Sequence, residues 1–288
     1  MSPDWLDRTT YPFESHYMDV ADGCIHYVDE GDGDAIVMIH GTPTWSYLYR
    51  HLIMGLRDNY RIIALDHLGF GLSDKPDNYS YKPEDQAKNI ALFIDQLELD
   101  IFTLVVHDFG GPIGLSYAIE HPEKIQRLVL FNTWLWSLKN DVRLALAGRL
   151  FSSVLGKLLF LRFNFELNVI FPSAFGERSK LTDAIYDHYR QPVANPISQQ
   201  AIWVYAKELL NSHAWYDSLW AQRDKLASIP MLLAWGMKDP VLGKSYFKRW
   251  REAFPDAQTI IFKKTGHYVQ EEQGASLVPV ISDFLSKT

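Results

Sequence analysis

The chain of 288 residues contains one cysteine, Cys24. A single thiol excludes an intrachain disulfide and a multi-cysteine metal site. It fits a reducing compartment, so a cytoplasmic location is expected. Long hydrophobic runs are also missing. No uninterrupted apolar stretch reaches the roughly 20 residues of a membrane-spanning helix, and no membrane partner is expected. Met1 to Met18 is polar and aromatic, with no basic start followed by an apolar run, so a secretory signal is not expected either. Positive charge is in short supply: 28 Lys and Arg against 35 Asp and Glu leave a net charge of −7. That balance argues against nucleic acid or an anionic membrane as the main partner. There is no internal repeat and no low-complexity segment.

What remains is an ordinary globular composition, 47% hydrophobic and 22% charged. A chain of this length can bury a large core, as one α/β domain or as a core with an insertion. Strand-like runs lie at 15–20, 24–29, 35–40, 61–66, 102–108, 127–132, 231–235 and 259–262. From Ala35 onward they are mostly continuous apolar runs, which suits strands buried on both faces of a largely parallel sheet. The first two alternate more and are joined across Asp22-Gly23, so they read as an antiparallel edge hairpin. Helical segments at 47–56, 83–97, 111–119, 244–253 and 271–285 fall between the later strands. This alternation predicts a doubly wound α/β sheet.

Residues 134–213 break the alternation. They are rich in Leu, Phe, Trp and Tyr, have helical periodicity, and are interrupted at Pro172, Pro192 and Pro196. We read them as a helical cap over the sheet's carboxyl edge, with residues 1–133 and 214–288 forming the core. The aromatic residues Phe160, Phe163, Phe165, Phe171, Phe175, Trp203 and Tyr205 suit the lining of an apolar pocket. They suit a plain helical core almost equally well.

The densest chemical signal is Val105-Val106-His107-Asp108-Phe109-Gly110-Gly111. An apolar strand ends in His-Asp, and two glycines lead into a helix. This is the outline of a nucleophile elbow, with aspartate where serine usually stands. A carboxylate is ionised at neutral pH and can attack an electrophilic carbon by displacement, forming a covalent ester. The chemistry therefore points to carbon–halogen or epoxide opening rather than to serine-type acyl transfer. His267, in a loop after the last strand, is the candidate base that activates water against that ester. Asp239, after the seventh strand, is the candidate acid that fixes the imidazole tautomer. Asn132 stands where a second acid would be looked for, and an amide cannot serve as one. The backbone N–H groups of Thr42 and Phe109 are candidates for an oxyanion cradle. His40 and the turn Asp66-His67-Leu68-Gly69-Phe70-Gly71 read as structural, because the spacing fits neither a P-loop nor a calcium loop.

At His40-Gly41-Thr42-Pro43, Asp66 to Pro76, His107 to Pro112, Gly236-Met237-Lys238-Asp239-Pro240 and Gly266-His267 the chain resembles the α/β-hydrolase superfamily. Within it, the chain is similar to the haloalkane dehalogenase and epoxide hydrolase group. The stretches Thr42 to Arg50 and Gly266 to Glu271 lean toward the dehalogenases. The resemblance implies an α/β-hydrolase fold, a small apolar organic substrate, no metal or organic cofactor, and a monomer or homodimer. It implies carbon–halogen hydrolysis first and epoxide hydrolysis as the alternative. A lactone decarboxylase, a luciferin-type oxygenase or a non-catalytic binding protein on the same fold come after these.

Two departures from the family bear on the leaving group. Most haloalkane dehalogenases carry a halide-holding tryptophan after the nucleophile, and here that residue is Phe109, which has no donor. The asparagine that some carry after His-Gly is Thr42. A cap tryptophan would have to compensate, with Trp203 ahead of Trp136 and Trp215. For epoxide opening, Tyr186, Tyr189, Tyr205 and Tyr216 are the available cap tyrosines.

Overall fold

Apolar runs at the centre of the chain form strands buried along their whole length, and these set the architecture of the computed structural model, which describes residues 3–287. The strands are β1 (His16–Val20), β2 (Gly23–Glu30), β3 (Ala35–Ile39), β4 (Arg61–Leu65), β5 (Phe102–Asp108), β6 (Ile125–Thr133), β7 (Met231–Gly236) and β8 (Gln258–Phe262). They make one eight-stranded sheet in the order β1-β2-β4-β3-β5-β6-β7-β8. β1 pairs antiparallel with β2, and β2 antiparallel with β4. Every later pairing is parallel. The continuous apolar runs β3, β5 and β7 are fully buried, whereas the alternating β1 and the partly polar β8 sit at the edges. Burial on both faces is what parallel strands covered by crossover helices require.

The helices are α1 (Arg50–Leu56), α2 (Pro83–Gln96), α3 (Gly110–Glu120), α4 (Val142–Phe151), α5 (Val154–Phe163), α6 (Phe171–Ser173), α7 (Asp183–Arg190), α8 (Pro196–Asn211), α9 (His213–Ala221), α10 (Lys244–Ala253), α11 (Val269–Gln273) and α12 (Leu277–Lys287). The single helix expected over 271–285 is instead α11 and α12. Gly274 separates them with φ +52°, a left-handed conformation that suits glycine. Pro279 sits in the first turn of α12, where its missing N–H costs no hydrogen bond. Pro172, Pro192 and Pro196 each open a helical segment, which is the position their fixed φ favours.

Between β6 and β7 the chain carries only helices and turns, from α4 to a 3₁₀ turn at Arg223–Leu226. α4 and α5 pack on α8, while α9 also rests on α3, a helix of the sheet layer. A π-helical turn, Glu166–Ile170, joins α5 to α6. Asn164 caps α5 in the left-handed region at φ 46°, which asparagine tolerates better than most residues. No single helix among the described residues is long and apolar enough to cross a membrane.

Candidate active site

Parallel order places the ends of β3, β5, β6, β7 and β8 on one edge, and the loops that follow them build the site. Asp108 closes β5 and turns into α3 with φ +53°. A non-glycine residue there stores strain of roughly 1–3 kcal/mol, so the surroundings must over-determine it. They do so from three sides. The Thr133 hydroxyl donates to the Asp108 carbonyl at 2.6 Å. The Thr42 N–H donates to Asp108 Oδ1 at 3.0 Å. A Cβ on Gly41 would collide with the Asp108 carboxylate, one on Gly110 with the Ile39 carbonyl and one on Gly111 with Thr133. The glycines of the motif are thus explained by backbone approach at the turn.

His267 stands between two carboxylates. Its Nδ1 is 2.6 Å from Asp239 Oδ2, and its Nε2 is 3.4 Å from Asp108 Oδ2. All three side chains are buried. Asp239 Oδ1 accepts the Val241 and Leu242 N–H groups at 2.8 and 2.9 Å, and Oδ2 also accepts from the Asn132 amide at 2.8 Å. Burial alone would raise the Asp239 pKa. The charge of His267, their hydrogen bond and the two backbone donors outweigh it and hold the group below its ordinary value. For His267 burial works against the charged form, but Asp239 and Asp108 outweigh it and raise the pKa to about 10. Behind the site, His107 Nε2 donates to the His267 carbonyl at 3.0 Å and ties β5 to the histidine loop.

Asn132, which cannot be the acid, is therefore the residue that orients it. The two turns read as structural hold the site's frame. His40 accepts the His67 N–H through Nε2 at 2.9 Å and donates from Nδ1 to the Gly41 carbonyl at 2.7 Å. Asp66 accepts the Ser46 and Leu72 N–H groups, each at 2.8 Å, and pairs with His26 at 2.8 Å.

Over Asp108 and His267 lies a cavity of about 320 Å³. Leu144, Phe151, Ile170, Leu209, Leu210 and Val241 give it an apolar wall. None of the seven aromatic residues expected to line it does so. Phe163 is 61% exposed, and Phe160 and Phe171 face other aromatic rings. Helical periodicity reports that a side has an apolar face, not which neighbour that face meets.

The tryptophan expectation is corrected in the same way. The Trp203 N–H donates to the Phe151 carbonyl at 2.8 Å, and the Lys157 and Lys207 ammonium groups each lie 5.0 Å from its ring centroid. Trp136 packs on Trp220, Tyr246 and Trp250. Trp215 leans on Tyr216. The tryptophan that does line the cavity is Trp134, the first residue after β6. It is fully buried, its N–H has no partner, and its ring meets that of Phe109 edge-on at 4.8 Å. Thr42 Oγ1 is a second unpartnered buried polar atom on the cavity wall.

The tyrosines expected of a cap are engaged elsewhere. Tyr186 donates to the Leu167 carbonyl, Tyr189 to Glu271 and Tyr216 to the Glu208 carbonyl. Tyr205 has an unpartnered hydroxyl but is not on the cavity wall, and its ring meets that of Phe109 edge-on. One polar residue of the wall had no signal in the sequence. Glu166, on the π-helical turn, puts a buried carboxyl into the cavity beside Asp108 and His267.

A mostly parallel eight-stranded sheet with a strained aspartate at the β5 turn and a histidine after β8 defines a hydrolase of the α/β-hydrolase fold. The family model for that fold matches residues 34–273. The chain is 36% identical to haloalkane dehalogenase 2 of Mycobacterium tuberculosis strain H37Rv, over 94% of this chain and 95% of that one. It is 32% identical to a cis-3-alkyl-4-alkyloxetan-2-one decarboxylase of Shewanella oneidensis MR-1, over 97% and 91%. Among solved structures, the haloalkane dehalogenase DatA of Agrobacterium tumefaciens C58 superposes with a TM-score of 0.84 at 25% identity, covering 95% of this chain and 96% of that one. The chain belongs to the α/β-hydrolase family, in its haloalkane dehalogenase group.

Proposed function

We propose that this enzyme hydrolyses a carbon–halogen bond in a small apolar organic molecule, with Asp108 as nucleophile, His267 as base and Asp239 as the acid that orients it. The observation that carries the reading is His267 held between two buried carboxylates under an apolar cavity. Residues 134–213 act as the cap and the rest as the core. The lone Cys24 supports the cytoplasm as the working compartment.

Asp108 attacks the carbon that bears the halogen, the carbon–halogen bond breaks, and the halide leaves with its electron pair. An alkyl ester on Asp108 remains. Forming the ester removes one of the two charges that raise the His267 pKa. The imidazole then gives up its proton more easily and becomes a base when a base is needed. Water it activates adds to the ester carbonyl, and the Thr42 and Phe109 N–H groups receive the oxyanion. The acyl carbon–oxygen bond breaks, the proton taken by His267 passes to the departing alcohol oxygen, and the second water proton leaves to solvent as Asp108 returns to its carboxylate. The Trp134 N–H and the Thr42 hydroxyl, both unpartnered, are the donors for the departing halide. They take the place of the donor that Phe109 lacks.

The test is to incubate His267→Phe with hexyl bromide and weigh the protein. An adduct of one hexyl group on Asp108, with one bromide released per chain, is the expected outcome. Continued hydrolysis by Asp108→Ala would sink the mechanism. A β-lactone of the kind the decarboxylase relative is named for belongs in the same panel. Carbon dioxide and an alkene from it, with no bromide from any alkyl bromide, would move the substrate away from halides.

A further inference from the structure

Glu166 is the carboxyl on the cavity wall that the halide chemistry leaves unused. It opens the π-helical turn between α5 and α6, and such turns gather at functional positions. The residue is 7% exposed, and no hydrogen bond or ion pair ties its carboxyl to another described residue. Burial raises its pKa to about 8; the Asp108 charge adds to the rise and His267 opposes it. At neutral pH it therefore holds a proton at the cavity surface.

Leaving groups differ in what they ask of such a group. A halide departs as a stable anion and needs only hydrogen-bond donors. The oxygen of a strained cyclic ether departs as an alkoxide and must collect a proton as its bond to carbon breaks. We propose that Glu166 supplies that proton, and that the cavity opens small terminal epoxides with the same nucleophile. This rests on the reading of Asp108 given above. Asp108 forms a bond to a ring carbon, the ring carbon–oxygen bond breaks, and its electron pair moves to the oxygen, which takes the Glu166 proton. The result is a hydroxyalkyl ester on Asp108 and a Glu166 carboxylate. Water adds to the ester carbonyl, passing one proton through His267 to the departing alcohol oxygen. The proton left on the new Asp108 carboxyl replaces the one Glu166 gave. One epoxide and one water become one vicinal diol.

The experiment measures diol from hexene oxide and bromide from hexyl bromide side by side. Glu166→Gln keeps the size and a hydrogen-bond donor but has no transferable proton. It lowers kcat/KM for the epoxide about 100-fold or more and lowers the diol-to-bromide ratio at least about 20-fold. Glu166→Asp restores part of that ratio. A second measurement needs no Glu166 variant. In His267→Phe, which lacks the charge that opposes the rise, formation of the hydroxyalkyl adduct slows at a pH above about 8, while the alkyl adduct from hexyl bromide does not follow. Asp108 and Tyr268 are the other titratable groups facing Glu166 there. Equal losses of both products in Glu166→Gln, a pH-independent adduct ratio, or bromide release with no diol from the wild type each overturn the role of Glu166 and leave Asp108 standing. Failure of both substrates overturns the Asp108 reading itself.

Discussion

The strand ends and the first cap helices face each other across the same cavity, but they hold their side chains by different means. At the strand ends, backbone groups do the holding: the Thr42 N–H on Asp108, two N–H groups on Asp239, and the His107 ring on the His267 loop. In the cap, α4 buries only Gly148, and α5 buries only Gly156 and Phe160. Of the twelve large hydrophobic side chains left exposed among the described residues, eight lie between Val142 and Val169, so this part of the cap is thinly packed. The second half of the cap is tied down better. Tyr189 bonds Glu271 at 2.6 Å, the His267 N–H bonds the Ala174 carbonyl at 2.8 Å, and Glu272 receives the Gly176 and Glu177 N–H groups. On the proposed function, the chemistry belongs to the rigid frame and substrate choice to the looser cover, where low local stability tolerates change.

The comparison is broken most severely at the frame. Asp108→Ala removes the proposed nucleophile and lowers bromide release by about 10⁴-fold or more while the fold persists, as checked by circular dichroism. Asp239→Asn keeps the shape but not the charge, and lowers kcat by about 10²- to 10⁴-fold. It also removes a cause of the raised His267 pKa. A raised pKa contributes stability that is full below the ordinary histidine value and is lost as pH rises through about 10. Wild-type melting temperature therefore declines between neutral pH and about 10, and the decline is shallower in Asp239→Asn.

Smaller effects sharpen the contrast. Gly111→Ala drives a methyl into Thr133 and costs about 1–3 kcal/mol in urea unfolding. Trp134→Phe keeps the ring but deletes the donor; bromide release falls about 10-fold, the order of one hydrogen bond to a charged group. Trp203→Phe, whose N–H serves the Phe151 carbonyl, changes kcat/KM by less than about 3-fold. Val154→Ser, at a residue 90% exposed on the cap, shifts stability by less than about 0.5 kcal/mol. A Trp203 effect as large as that of Trp134 would mean that cap and frame share the leaving-group site after all.

The central strands were legible because a strand buried on both faces has to be apolar throughout, and β1 and β2 because two alternating runs meet across a glycine turn. The meeting of Asp108, Asp239 and His267 at one place was legible for a related reason. Each follows a recognisable strand, and parallel order sends all such ends to one edge. Trp203 was misplaced because helical periodicity marks a face without naming what the face meets. Trp134 gave no signal beyond being the first residue past β6, one tryptophan among nine. The α11–α12 break turned on the left-handed backbone at Gly274, which the apolar pattern does not reveal.

The amino-acid order by itself determined the sheet, the elbow and the three residues at its edge, because strand burial and turn chemistry are local and survive without knowledge of neighbours. Only the tertiary structure decided which donors face the cavity. A lone N–H on Trp134 and a buried carboxyl on Glu166 follow from what packs around them, and that packing is set by residues far away in the chain.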